Sequence, residues 1–152
     1  MKRGILISFI SALLISVAFV PKAKKIVVID VSYGGIDKGL IHDSMLEKDI
    51  VLSIANKVQE LNSKGKLEII LTRPTDLFIS LNDRVEFINS QAPSFLLSLH
   101  ANYSDKTDVN GFELFVKENF LTEESFQIAT LLENQYPQEI RKGILVWEIF
   151  IS

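Results

Sequence analysis

The chain has 152 residues, 47% hydrophobic and 23% charged, which excludes collagen-like, disordered and low-complexity architectures and fits one domain. Its 16 Lys+Arg against 19 Asp+Glu give a net charge of −3 without a basic stripe, so no nucleic-acid partner is expected. With no cysteine there is no disulfide framework, thiol nucleophile or thiolate metal site; a metal must be held by His, Asp, Glu or Tyr, and only His42 and His100 supply imidazole.

Lys2 and Arg3 precede an uncharged apolar run from Gly4 to Val20, and Ser16-Val17-Ala18 offers the small residues of a cleavage site. Residues 1–23 therefore read as a secretory signal peptide or, if uncleaved, an N-terminal anchor. The body, 24–152, is expected in the periplasm or outside the cell, touching membrane only through that segment. The substrates to be expected in that compartment are cell-wall polymers and secreted peptides.

Lys25 to Asp30 is a short β-branched run and reads as a buried strand. Val31 to Asp43 reads as a loop, marked by Gly34, Gly35 and Gly39. Ser44 and Glu47 have capping-box spacing, and Ile50, Val51, Ile54, Ala55, Val58 and Leu61 then repeat at helical period. Leu67 to Thr72 is a second buried strand. Ser80 and Asp83 repeat the N-cap spacing, with Leu81, Val85 and Ile88 as a short apolar face. Phe95 to His100 is a third strand, in which alternation puts Leu96, Ser98 and His100 on one side and Phe95, Leu97 and Leu99 on the other. After a polar loop, Gly111 to Val116 is a fourth strand. Thr122 caps a helix whose apolar face is Phe126, Ile128, Ala129 and Leu132, with Leu121 and Phe126 spaced for a hydrophobic staple. Gly143 to Ile151 is a last apolar strand.

Strands alternating with helices predict a single α/β domain, with a mostly parallel sheet flanked by helices on both faces. In such sheets, sites form beyond the carboxyl ends of strands. The residues there are Asp30–Gly35, Arg73 and His100–Asn102.

These residues carry a resemblance. Asp30-Val31-Ser32-Tyr33-Gly34-Gly35 resembles the D-P-G-H-G-G opening of zinc-dependent N-acetylmuramoyl-L-alanine amidases, and Leu46-Glu47-Lys48-Asp49 their L-x-E-K-D. Leu71-Thr72-Arg73-Pro74-Thr75-Asp76 is similar to their L-T-R-x-T-D, Leu81 to Val85 with Asn89 to L-x-x-R-V-x-x-A-N, Ser98 to Asn102 to S-I-H-A-N, and Gly111-Phe112-Glu113 to G-F-E. The ordered set implies the amidase, phosphorylase/hydrolase-like α/β fold. It also implies peptidoglycan as partner and hydrolysis of the amide between the muramyl lactyl group and the first stem-peptide alanine.

The resemblance further implies one Zn²⁺ held by His, Glu and His, with a glutamate as general base. Glu47 and His100 fall on two ligand positions, and Tyr33 stands in place of the first histidine. His42, nine residues further along the loop, is a replacement candidate. Glu148 matches the base if Trp147 is an extra residue in its strand. Asn102 would contact substrate or orient His100. No counterpart of the family's closing helix precedes Ser152. The residues alone allow plainer roles: Glu47 as the partner of Ser44 in a capping box, His100 as a strand-end histidine, Asp30, Asp37 and Asp43 as turn or helix-dipole residues, and Arg73, Asp76 and Arg84 as loop pins. Tyr33 sets two expectations against each other: a peptidoglycan amidase with weak or no turnover, or a non-catalytic cell-wall-binding or regulatory relative.

Overall fold

In the computed structural model, residues 24–101, 110–116, 123–135, 141–142 and 145–150 are described. In chain order they form β1 (Ile26–Val31), β2 (Ile41–His42), β3 (Met45–Leu46), α1 (Glu47–Leu61), β4 (Glu68–Leu71), α2 (Leu81–Ser90), β5 (Phe95–Ala101), β6 (Asn110–Val116), α3 (Glu123–Gln135), β7 (Arg141–Lys142) and β8 (Leu145–Phe150). Six strands make one sheet in the order β4-β1-β5-β8-β6-β7. β1 runs parallel to β4 and β5, and β6 parallel to β8; β8 is antiparallel to β5, and β7 to β6. The expected α/β domain with a mostly parallel sheet is present. The signal-peptide reading, Asn102 and Thr122 lie outside the described residues.

Strand alternation decides what each face of the sheet does. Ile29 and Val31 of β1, Leu71 of β4, and Leu97 and Leu99 of β5 bury against Val51 and Ala55 of α1. Ile128, Ala129 and Leu132 of α3 pack against the same cluster. The alternate residues, Asp30 and Ser98, meet Arg84 of α2 on the opposite side. Helices thus lie on both faces, one side closing a core and the other bounding a polar cleft.

Four local expectations are corrected. The loop before α1 contains a hairpin, with Ile41 opposite Leu46 and His42 opposite Met45. Ser44 lies in its turn, next to Asp43 at φ 53°, and does not cap the helix. The helix begins at Glu47 with Leu46 as N-cap and no side-chain cap. Instead, the N–H groups of Glu47 and Lys48 donate to the carbonyls of Leu40 and Lys38 (2.9 and 3.3 Å), so loop backbone satisfies the first turn and frees the Glu47 carboxylate. On α2 the apolar residues Leu81 and Val85 are exposed and Arg84 is the buried one, because the sheet face it meets is polar. Leu61 and Phe126 are also exposed, Leu61 because it ends the α1 stripe beyond the sheet; the proposed staple partner of Phe126, Leu121, lies outside the described residues. The Ser80 cap does form: its hydroxyl accepts from the Asp83 N–H at 3.2 Å.

Arg73 locks the loops above the sheet. It is fully buried and donates to the carbonyls of Val31, Ser32, Lys48 and Thr75 at 2.8–3.2 Å. Gly34 sits so close to the chain after Arg73 that a Cβ there would collide with the Leu77 carbonyl oxygen. Asp76 accepts from Lys48 Nζ at 2.5 Å and from the Gly35 N–H at 2.7 Å. The Lys48 hydrogen bond, then the Gly35 N–H, hold its carboxyl below the usual carboxylate range. A depressed folded-state pKa adds stability above the unfolded value, about 3.9, that is lost as pH falls through the folded value. Asp76→Asn is therefore expected to be less stable than wild type at neutral pH, with the gap closing below about pH 4. Denaturant melts at both pH values check this; a gap that persists undiminished in acid contradicts it.

Candidate active site

Three elements bring the site together beyond the carboxyl ends of the strands. β1 delivers Ser32 and Tyr33, the start of α1 delivers Glu47, and β5 delivers His100. Glu47 is 3% exposed, low enough to demand partners for its charge. Its Oε2 accepts from the Leu40 N–H and its Oε1 from the Ala101 N–H, both at 2.9 Å. Burial alone would raise its pKa, but the facing His100 imidazole and the hydrogen bonds from the Leu40 and Ala101 N–H groups outweigh it, and the group stays below the ordinary glutamate value. Glu47 is a fixed carboxylate.

His100 faces that carboxylate, with Nδ1 3.3 Å from Glu47 Oε1. Its other nitrogen, Nε2, lies 2.9 Å from Ser32 Oγ, and that hydroxyl lies 2.5 Å from the Leu99 carbonyl oxygen. A carbonyl only accepts, so the single hydroxyl proton goes to Leu99 and the imidazole Nε2–H must donate to Ser32. Ser32 therefore fixes the ring and its tautomer. In the neutral ring, Nδ1 presents a lone pair to a carboxylate oxygen. Two lone pairs at 3.3 Å require a cation between them, either a second ring proton or a metal ion. Ligand distances of about 2.0–2.1 Å around tetrahedral zinc give a ligand–ligand edge of about 3.3 Å, so this pair fits two corners of a zinc site.

Tyr33 closes the third side. Its backbone is left-handed (φ 60°), and its ring stands edge-on to His100 with centroids 5.6 Å apart. The chain at Gly39 runs against both neighbours: a Cβ there would lie 2.7 Å from Tyr33 Cδ2 and 2.8 Å from Glu47 Oε2. Burial first, then the charges of Glu47 and Asp37, raise the Tyr33 pKa against the opposing pull of Arg84. At neutral pH it is a proton-bearing phenol. Among the described residues no group of three or more His, Cys, Asp and Glu could share a metal ion. Among the described residues, the imidazole and the carboxylate stand without a third such donor.

Beside this trio opens a cleft of about 800 Å³. One wall is polar, with Asp30, Ser32, Ser98 and Arg84; the other is the loop and helix start at Phe78, Ile79 and Leu81. Asp30 accepts from Thr72 Oγ1 and Ser98 Oγ at 3.1 and 3.2 Å and pairs with Arg84 Nε at 3.4 Å.

The predicted site residues thus divide. Tyr33, Glu47 and His100 come together. His42 stands on the β2–β3 hairpin, its Nε2 3.5 Å from Asp43 Oδ2, and is not among the described residues lining the cleft. Glu148 lies on β8, in antiparallel register with Ser98. Asn102 lies outside the described residues. Ser32, which orients the histidine, and the Asp30–Arg84 pair were not predicted in these roles. The signal for Ser32 and Ser98 is their place two residues from Asp30 and His100, on the cleft side of their strands.

Comparison with known proteins gives this geometry its context. The family model for N-acetylmuramoyl-L-alanine amidase matches residues 27–144. The chain is 33% identical over 114 residues to the N-acetylmuramoyl-L-alanine amidase LytC of Bacillus subtilis, covering 74% of this chain and 23% of LytC. It is 36% identical over 105 residues to the N-acetylmuramoyl-L-alanine amidase AmiA of Escherichia coli, covering 65% of this chain and 36% of AmiA. The chain therefore spans about a quarter to a third of the length of these curated relatives. Among solved structures, the amidase AmiC2 of Nostoc punctiforme superposes with a TM-score of 0.66 at 25% identity, covering 85% of this chain and 79% of AmiC2.

Proposed function

The chain belongs to the N-acetylmuramoyl-L-alanine amidase family, and from that membership we propose that it acts on peptidoglycan at the amide joining the muramyl lactyl group to the first stem-peptide alanine. The observation that carries this reading is the Glu47–His100 pair, whose facing oxygen and nitrogen stand one zinc-ligand edge apart. Glu47 and His100 would hold Zn²⁺, which when bound supplies a nucleophilic water at neutral pH and polarises the amide carbonyl.

The chain's own groups do the rest. Ser32 holds the imidazole with Nδ1 toward Glu47. The Leu40 and Ala101 N–H groups hold the carboxylate ionised and unable to swing away. Glu148, on the strand beside His100's own, takes the proton from the attacking water and returns it to the leaving amine nitrogen. Residues 1–23 direct the chain to the periplasm or the cell exterior; among the described residues no helix is long and apolar enough to cross a membrane.

One observation favours a second reading. Tyr33 keeps its proton, so it adds no phenolate donor, and a two-donor site favours a protein that binds wall fragments without cutting them. Zinc analysis of the purified protein with a muropeptide digest separates the two. The amidase reading expects zinc uptake that Glu47→Gln reduces at least tenfold, together with release of free stem peptide that Glu148→Gln slows by about 10²–10⁴. Muropeptide binding without zinc uptake or peptide release establishes the second reading.

A further inference from the structure

Two arginines are buried among the described residues, and they are satisfied very differently. Arg73 makes hydrogen bonds to four carbonyls, using four of its five N–H donors. The Arg84 side chain is 9% exposed, yet its one hydrogen bond among the described residues is a 3.4 Å contact from Nη2 to the Ile79 carbonyl. Its Nε is fully buried without a hydrogen-bond partner, facing Asp30 Oδ1 at 3.4 Å. A guanidinium carries five N–H donors in a flat fork, and a buried one left so underused calls for an explanation.

The surroundings supply one. Arg84 forms part of the wall of the 800 Å³ cleft that also holds His100. Asp30 fixes one edge of the guanidinium and leaves the remaining donors for whatever enters. Ser80, Leu81 and Asn82, the cap and first turn of the ten-residue helix α2, line the same cleft, so the partial positive charge of a helix N-terminus lies beside the fork. A planar, bidentate donor next to a helix N-terminus matches a carboxylate better than a neutral amide or a sugar hydroxyl. Asp37 at the same cleft sets a limit, since a ligand with charge spread along its length would meet it.

We infer that Arg84 is a substrate-binding residue that seats a free carboxylate of the peptide portion of the ligand. This rests on the muropeptide reading and deepens it: the cleft distinguishes stem peptides whose second residue carries a free α-carboxyl from those in which it is amidated.

The test uses the full chain without added metal, so that binding is read apart from cleavage. The probes are the γ-methylamides of muramoyl-L-alanyl-D-glutamate and of its α-amide, muramoyl-L-alanyl-D-isoglutamine, so that the α-carboxyl is the one peptide carboxylate that differs, titrated by calorimetry. The expected result is at least tenfold tighter binding of the free acid, a preference that Arg84→Gln abolishes and Arg84→Lys reduces. Equal binding of both compounds by wild type overturns the assignment. So does a preference that survives in a folded Arg84→Gln protein. Failure of both compounds to bind overturns the muropeptide reading itself, and this inference with it. Should Arg84→Gln not fold, the wild-type preference and its reduction in Arg84→Lys decide the matter.

Discussion

Tyr33→His is expected to raise zinc affinity by about 100-fold or more, exceeding the 10–100-fold that a merely outer-shell partner is worth. The variant should hold one zinc per chain where wild type holds less. The backbone already suits the change: φ at Tyr33 is 60°, the left-handed region in which histidine is tolerated better than most residues. The ring stands 5.6 Å from that of His100, and both Tyr33 and Glu47 press against Gly39, so an imidazole in the phenol's place borders the same gap. The chemical difference is the proton. Imidazole offers a lone pair at neutral pH, whereas burial and the Glu47 and Asp37 charges hold the phenol protonated. Competition against a chromophoric chelator measures the affinity, and a muropeptide digest shows whether amide cleavage rises with it. His42→Ala is the control, since His42 faces Asp43 on the hairpin. Zinc binding unmoved by Tyr33→His but abolished by His42→Ala would mean that the loop histidine holds the metal.

How far the sequence revealed this site depends on the range of the interactions involved. Strand alternation is local, and it sufficed to put Ser98 and His100 on one side and Leu97 and Leu99 on the other. Helix starts were harder. The Ser44–Glu47 spacing has the pattern of a capping box, but Asp43 and Ser44 turn a hairpin, and the carbonyls of Leu40 and Lys38 take the N–H groups that a side chain would have capped. What then fixes the Glu47 carboxylate is the N–H of Ala101, 54 positions away. No spacing rule reports a contact of that separation; only the motif resemblance pointed to it. The two arginines make the same point. Both looked like loop pins at the ends of elements, and nothing local distinguishes Arg73, bonded to four carbonyls, from Arg84, left open to a cleft. Hydrophobic periodicity was misleading on α2, where Leu81 and Val85 face out because the sheet beneath presents Asp30 and Ser98.

Arg73→Met is expected to cost about 3 kcal/mol of stability, close to the lower end for breaking a buried charged contact by removing one partner. Two effects oppose each other. Burial lowers the Arg73 pKa, with Asp76 the largest opposing charge, so removing the guanidinium recovers the cost of keeping a charge out of water. Against that, methionine fills much of the volume but donates nothing, and the carbonyls of Val31, Ser32, Thr75 and Lys48 lose a donor together. The Thr75 carbonyl keeps the Leu77 N–H at 2.9 Å and the Lys48 carbonyl its place in α1, so the loss falls on Val31 and Ser32, and two buried carbonyls left short of a donor at about 1–3 kcal/mol each still outweigh the recovered desolvation. For a chain of this size the loss corresponds to a fall in Tm of about 10 °C. The effect should reach the site, because the carbonyls that lose their donor belong to the residue that orients His100 and to the one that follows Glu47. Zinc affinity is therefore expected to drop in the folded variant, without any change to Ser32, Glu47 or His100. Thermal unfolding together with zinc titration checks both halves. A stability loss under about 1 kcal/mol, within the range of an ordinary substitution, would show that the carbonyls find other donors and that Arg73 does not hold the loops.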